Sequence, residues 1–220
     1  MASLRERKYA RTRLALLSAF QSALEQQPFS EVPIKALCHS VEVSEATFFN
    51  YFSSKANLLD YAIQFWLLEL QLSLVNDMTE PGMRTIEKVY AFFARQCRAR
   101  PGFMRAFMGW LANGGVLSTE MAPSILERQL AWPENGKAGT IQQLALDLLL
   151  VRQLEQAVNR SQLPSNVLMP TLLTGLISIL FGAPLALLSS DPDRIGSMYQ
   201  QQLQIFWAGI QAAVGGSAPQ

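Results

Sequence analysis

Apolar residues recur three and four positions apart along nearly the whole chain, and no stretch alternates with a period of two between turn residues. That pattern predicts an all-α fold. Turn signals divide it: Pro28, Pro33, the VEVS break at 41–44, Pro81-Gly82, Pro101-Gly102, Gly114-Gly115, the WPENGKAG loop at 132–139, Leu163-Pro164 and Ser190-Asp191-Pro192. Between them helices are expected at about 7–26, 34–40, 45–52, 55–75, 83–99, 103–113, 119–130, 139–162, 165–189 and 192–214, nine or ten in all. No internal repeat is evident. Half of the 220 residues are apolar and 16% are charged, enough to bury a core and unlike disordered, collagen-like or disulfide-framework chains.

Net charge is uninformative, with 18 basic residues against 17 acidic ones, but its distribution is not. Residues 3–13 hold Arg5, Arg7, Lys8, Arg11 and Arg13 against Glu6 alone, whereas residues 61–220 carry 11 basic and 11 acidic side chains. An anionic partner is therefore expected at the N-terminal end, where the bland reading is a solvated basic arm. Cys38 and Cys97 match neither a zinc nor a redox spacing and read as small apolar helix residues of a reduced, cytoplasmic protein. Basic residues persist through Arg13 with no cleavage site after the apolar stretch at 14–20, so no secretory signal is expected. Residues 161–190 carry no charge, and 167–188 is long enough to span a bilayer. Pro170, Pro184, Gly175 and Gly182 within it, and the lack of flanking cations, fit a helix buried between helices or in a subunit interface instead.

Two short helices joined by a tight turn, the second opening at Ser44, form a helix-turn-helix pattern, or else an ordinary helical hairpin with capping hydroxyls. Such a unit lays its second helix in the major groove. Thr47 and Tyr51 are four apart and share a face; Lys55 opens the next helix, where its ammonium and free backbone N–H groups suit a phosphate. Ser53 or Ser54 would cap that helix.

The stretch from Leu16 to Leu59 resembles the DNA-binding region of the tetracycline-repressor (TetR) family, most clearly in VSEATFFNYFSSKANLL, which supplies Val43, Ser44, Thr47, Phe49, Tyr51, Phe52, Lys55, Leu58 and Leu59. The resemblance implies phosphate contacts by Thr47, Tyr51 and Lys55, and a base-reading or phosphate-gripping role for Lys35. It departs from the family at Pro28 for a glycine, at Val32-Pro33 for a threonine cap, at Val41-Glu42 for the Ala-Gly of the turn, and at Phe49 for a tyrosine. Glu42 must then take the turn geometry at some strain. Phe49 cannot bond a phosphate but can pack on a thymine methyl, Glu45 can accept from cytosine N4, and Asn50 either pairs with adenine or is a solvated helix residue. Base readout is assigned to Glu45, Ala46, Phe49 and Asn50 with Lys35, the DNA-binding set being completed by Ser44, Thr47, Tyr51 and Lys55. Phe48 and Phe52 read as core.

The expected organisation is a three-helix DNA-binding domain at 1–54, a helical effector-binding and dimerisation domain at 55–214, and a disordered tail at 215–220. The resemblance implies homodimerisation through the last two long helices, with Gly175, Ser178 and Gly182 allowing close approach. Trp66, Phe93, Phe103, Phe107, Trp110 and Met121 are candidates for an apolar effector pocket, although each taken singly reads first as plain core, with Arg95, Gln96 and Asn113 as polar anchors. The helix from Lys55 to about Val75 is the natural lever between the halves. No nucleophile motif surrounds the single histidine, His39, and no paired carboxylates, phosphate loop, metal spacing or cofactor motif appears, so no enzyme is expected. The sequence thus points to a TetR-like repressor released from a palindromic operator by a small, mostly apolar effector. Alternatives are a ligand-independent or activating regulator of the same fold, or a membrane-associated helical protein.

Overall fold

In the computed structural model, which describes residues 2–76, 80–117 and 119–215, ten α-helices follow one another with no strand among the described residues. They are α1 (Leu4–Leu24), α2 (Ile34–Ser40), α3 (Glu45–Tyr51), α4 (Lys55–Asn76), α5 (Met83–Ala99), α6 (Pro101–Ala112), α7 (Ile125–Ala131), α8 (Leu146–Asn159), α9 (Met169–Leu187) and α10 (Ile195–Gly215). The all-α expectation holds. α1 starts earlier than periodicity suggested because Ser3 and Glu6 form a capping box, each side chain accepting the other's backbone N–H. The same S-x-x-E device, Ser124 with Glu127, opens α7 just after Pro123, so the helix expected over 119–130 is a 3-10 turn at Thr119–Met121 followed by a separate α7. α8 begins at Leu146, not at 139, because residues before it are held non-helical from outside. The Arg128 guanidinium donates to the carbonyls of Pro123 and Ile141 and to Gln143 Oε1, and Gln143 donates to the Gln64 carbonyl. Of the tail expected at 215–220, Gly215 closes α10 and the rest lies outside the described residues.

Two compact units emerge, and they do not follow the boundary expected at 54/55: residues 1–72 group with 102–143, and 73–101 with 144–220. The reason lies on α1. Its buried stripe, Ala10, Arg13, Leu17, Phe20 and Leu24, includes a cation. Arg13, counted in sequence with the basic arm, is only 6% exposed; its Nη1 pairs with Glu127 on α7 at 3.2 Å. Glu127, itself wholly buried, also accepts from the Tyr61 hydroxyl on α4 at 2.9 Å. Burial of Tyr61, and then the charge of Glu127, hold its hydroxyl far above the ordinary phenol range. At the other end of α1, the Glu25 carboxylate accepts from the backbone N–H groups of Gly102 and Phe103, capping α6. A Cβ at residue 102 would collide with the Leu24 carbonyl, so only glycine permits this approach. Through these links α1 is fastened to α4, α6 and α7.

The second unit packs α5, α8, α9 and α10 as four helices. Gly82 holds the N-cap position of α5 at φ +107°, a backbone conformation that favours glycine, and its N–H donates to Gln153 Oε1. Pro184 inside α9 lacks an N–H and leaves the Leu180 carbonyl without its helical partner. The Tyr199 hydroxyl of α10 donates to that carbonyl, and the Tyr90 hydroxyl of α5 donates to the Leu176 carbonyl one turn earlier. Gly175 was expected to admit a partner helix; instead a Cβ there would strike the Phe206 ring, so its bareness serves packing within the chain. Ser178 and Gly182 are exposed. Both α4 and α9 are long and apolar enough to cross a membrane, but the apolar window of α4 is 78% buried and that of α9 only 28%.

Candidate nucleic-acid interface

α2 and α3 are joined by a turn whose geometry falls on Glu42, at φ +58°. Val43 donates to the Cys38 carbonyl at 3.0 Å and Glu42 to that of His39 at 3.2 Å, closing the end of α2. The strain anticipated from the missing glycine is thus present at a named residue. Ser44 then caps α3: its Oγ accepts from Thr47 N at 3.1 Å and lies 2.9 Å from Thr47 Oγ1.

Seven residues make two turns, and burial sorts them by angle. Phe48 in α3 and Phe52 just after it are fully buried, and each packs its ring on the other. Both were read as core. On the opposite arc Glu45, Ala46, Phe49 and Asn50 are all exposed, Phe49 at 49%. Thr47 and Tyr51 lie between, half-buried on the flank. The tyrosine ring is held edge-on against Tyr9 of α1, centroids 4.7 Å apart. Tyr9 escaped the sequence reading, although its position four residues before Arg13 places it on the same side of α1. Lys35 is exposed on α2. Exposed Arg5, Arg7, Lys8 and Arg11 leave the N-terminal half of α1 cationic even with Arg13 withdrawn.

Lys55 stands differently from expectation. Its Nζ donates to the carbonyls of Ser30 at 3.0 Å and Val32 at 2.9 Å and sits 5.0 Å from the Phe29 ring centroid. Partial burial lowers its pKa from the ordinary lysine value. Two of its three protons therefore fasten the connection between α1 and α2, and of the two serines expected to cap α4 it is Ser54 whose Oγ accepts from Asn57 N. Cys38, beneath the turn, is buried; desolvation and then the Glu45 carboxylate raise its thiol.

The six side chains expected around an effector are drawn from both units. Trp66, Phe103 and Phe107 are buried in the first unit, with Trp66 5.3 Å from the Phe107 ring. Phe93 belongs to the second unit, edge-on to Phe181. Met121 is half-buried, and Trp110 folds over Gly115, where a Cβ would strike its indole. Of the polar candidates, Asn113 donates back to the Gly109 carbonyl, Arg95 lies over the Phe92 ring, and Gln96 is buried. Trp110 and Asn113 line a groove of about 670 Å³ in the first unit beside Pro28 and Phe29.

The geometry is that of a helix-turn-helix presenting α3 outward. Residues 16–62 match the family model of bacterial regulatory proteins, tetR family, a span that runs from the α1 core through α2 and α3 into the start of α4. No curated protein matches the chain significantly. Residues 16–62 thus form a DNA-binding domain of the kind found in the tetR family of bacterial regulatory proteins, which makes the chain a DNA-binding transcription regulator.

Proposed function

We propose that the protein is a homodimeric repressor that binds a palindromic operator and is released by a small, mostly apolar effector. The observation that carries the reading is the exposed arc of α3. A half-exposed phenylalanine beside Glu45, Ala46 and Asn50 on a helix end pinned by two buried aromatics is the arrangement that major-groove reading requires. In this assignment Glu45, Ala46, Phe49 and Asn50 read bases with Lys35. Ser44, Thr47 and Tyr51 grip phosphates, and the third Lys55 proton joins them. The cations of α1 supply the salt-dependent, sequence-independent part of the affinity. Regulators of this kind act in the cytoplasm.

Dimerisation is assigned to α9 and α10. Leu168, Leu185 and Ile205 are each 72% exposed, and the outward stripe of α9 holds Thr171, Thr174, Ser178 and Gly182. A second copy covers this surface better than lipid does, because hydroxyls and a glycine suit close helix contact. Two recognition helices must stand about 34–36 Å apart to enter successive major grooves. An effector that prefers a conformation with another spacing weakens DNA binding by its differential affinity and no more. α4, which is unbroken from Lys55 to Asn76, is the lever in this reading.

The test is selection of binding sites from random duplex DNA near physiological salt, beside a Glu45→Ala/Phe49→Ala control whose changed side chains are exposed. An enriched inverted repeat, lost in the control, is the expected result. No enrichment from folded, dimeric protein would refute sequence-specific binding by α3.

A further inference from the structure

The second unit carries a groove of about 930 Å³ between α5 and α10, within the size range of small-molecule sites. Its walls differ in chemistry. On α5, Arg84, Lys88 and Arg95 line it, and their spacing of four and seven residues places all three on one stripe, with Ala91 between. On α10 the facing stripe is Gln200, Gln204 and Gln211. Against the three cations the groove holds one carboxylate, Glu87. Small residues keep it open: Ala91 and Ala94 on one side, Gly196 and Ala208 on the other.

Its floor is aromatic and mostly satisfied. The Tyr90 and Tyr199 hydroxyls turn inward to the α9 carbonyls already described. Trp207 is the exception. It lines the groove, is 7% exposed, and its Nε1 donates to nothing. Buried N–H groups without an acceptor are rare in native proteins and ask for a partner. The register of the two helices says where that donor lies. Arg98 pairs with Asp193, Ala94 faces Gly196, and the Tyr90 ring meets that of Tyr199, so α5 and α10 run antiparallel. Continuing the register two more turns brings Trp207 abreast of Arg84.

We propose that this groove binds a small carboxylate amphiphile. The carboxylate is held by Arg84 and Lys88 with the Trp207 indole N–H, and the apolar chain lies along Ala91, Ala94 and Leu203. The site is separate from the exposed apolar side of α10, since Ile205 lies about a quarter-turn from Gln204. The inference rests on the effector reading only for its consequence at the operator; binding itself is measured without DNA.

Decanoate is the probe, titrated calorimetrically into the full-length protein, with decanol as the uncharged chain and acetate as the bare head group. Saturable binding of one decanoate per chain is expected, with both controls at least tenfold weaker. Arg84→Gln/Lys88→Gln should weaken decanoate at least tenfold and Trp207→Phe several-fold. Ala91→Trp, which fills the groove from an exposed position, should abolish it. Absence of saturable binding, equal affinity for decanol, or an unchanged Arg84→Gln/Lys88→Gln variant would each overturn the proposal. Decanoate that binds as described but leaves operator affinity unchanged would instead refute release by an effector at this site and leave the groove standing. A selected operator with no decanoate binding would do the reverse.

Discussion

Arg13 sits with its guanidinium 4.1 Å from the Tyr61 ring centroid and 5.0 Å from that of Phe52, its Nη1 on Glu127, and its Nε and Nη2 without hydrogen-bond partners. The rings supply the remaining electrostatic company. A buried pair of this kind is weak support for stability but dangerous to break. Arg13→Met alone should therefore destabilise by about 3–5 kcal/mol in chemical denaturation, while Arg13→Met/Glu127→Leu should recover much of that loss. A double variant as unstable as the single one would show that Glu127 matters through Ser124 and Tyr61 instead. At Glu42 the left-handed backbone favours a residue without Cβ, so Glu42→Gly should stabilise by about 1 kcal/mol. Lys55→Met removes donors from two carbonyls and should cost about 1–3 kcal/mol. If its third proton also meets phosphate, the slope of log affinity against log salt falls by about one unit as well; an unchanged slope would leave Lys55 a purely structural clasp. Cys97 is fully buried and its thiol is pushed up to about 12 by desolvation. A raised acid pKa means that its contribution to stability is complete below about pH 9 and declines toward pH 12. Because thiolate is the reactive form, both Cys97 and Cys38 should resist a thiol reagent at pH 8 until the protein is unfolded.

α9 shows how an element tolerates a proline that its position forbids. Within a helix Pro184 removes a donor and orphans the Leu180 carbonyl, and the Tyr199 hydroxyl takes the vacancy from α10. Tyr199→Phe should then cost about 1–3 kcal/mol, and Pro184→Ala should rescue part of that loss by restoring the helical bond. Additive behaviour in that double-mutant cycle would separate the two residues. α3 illustrates the opposite economy of means. It has seven residues, too few to be stable alone, and takes its order from Ser44 at one end and from Phe48 and Phe52 beneath. Both devices were legible in sequence, since a capping serine and aromatics four apart are local signals. The capping boxes of α1 and α7 were equally local, in SLRE and SILE, and periodicity alone passed over them. Non-helical residues before α8 had no such signal, because the Arg128 and Gln64 groups that hold them lie far away in sequence.

At the scale of the molecule, an α9 that is apolar along its length and largely uncovered in one chain asks for a second. Leu185→Glu/Ile205→Glu should shift the protein to monomer in size-exclusion chromatography with light scattering, and should weaken operator binding at the same time. A double variant that stays dimeric would move the interface elsewhere. The sequence by itself determined the all-α class, the register of the helix-turn-helix, the turn strain at Glu42 and the core status of Phe48 and Phe52. Each of these follows from interactions within a few residues: the helical period, a capping hydroxyl, a missing glycine. Only the tertiary structure decided that Arg13 leaves the basic arm for Glu127, that Lys55 closes on Ser30 and Val32, that Phe93 and Trp66 belong to different units, and that Gly175 makes room for Phe206. Those outcomes depend on partners that are distant along the chain, and which partner wins is settled by burial and charge compensation when the helices pack.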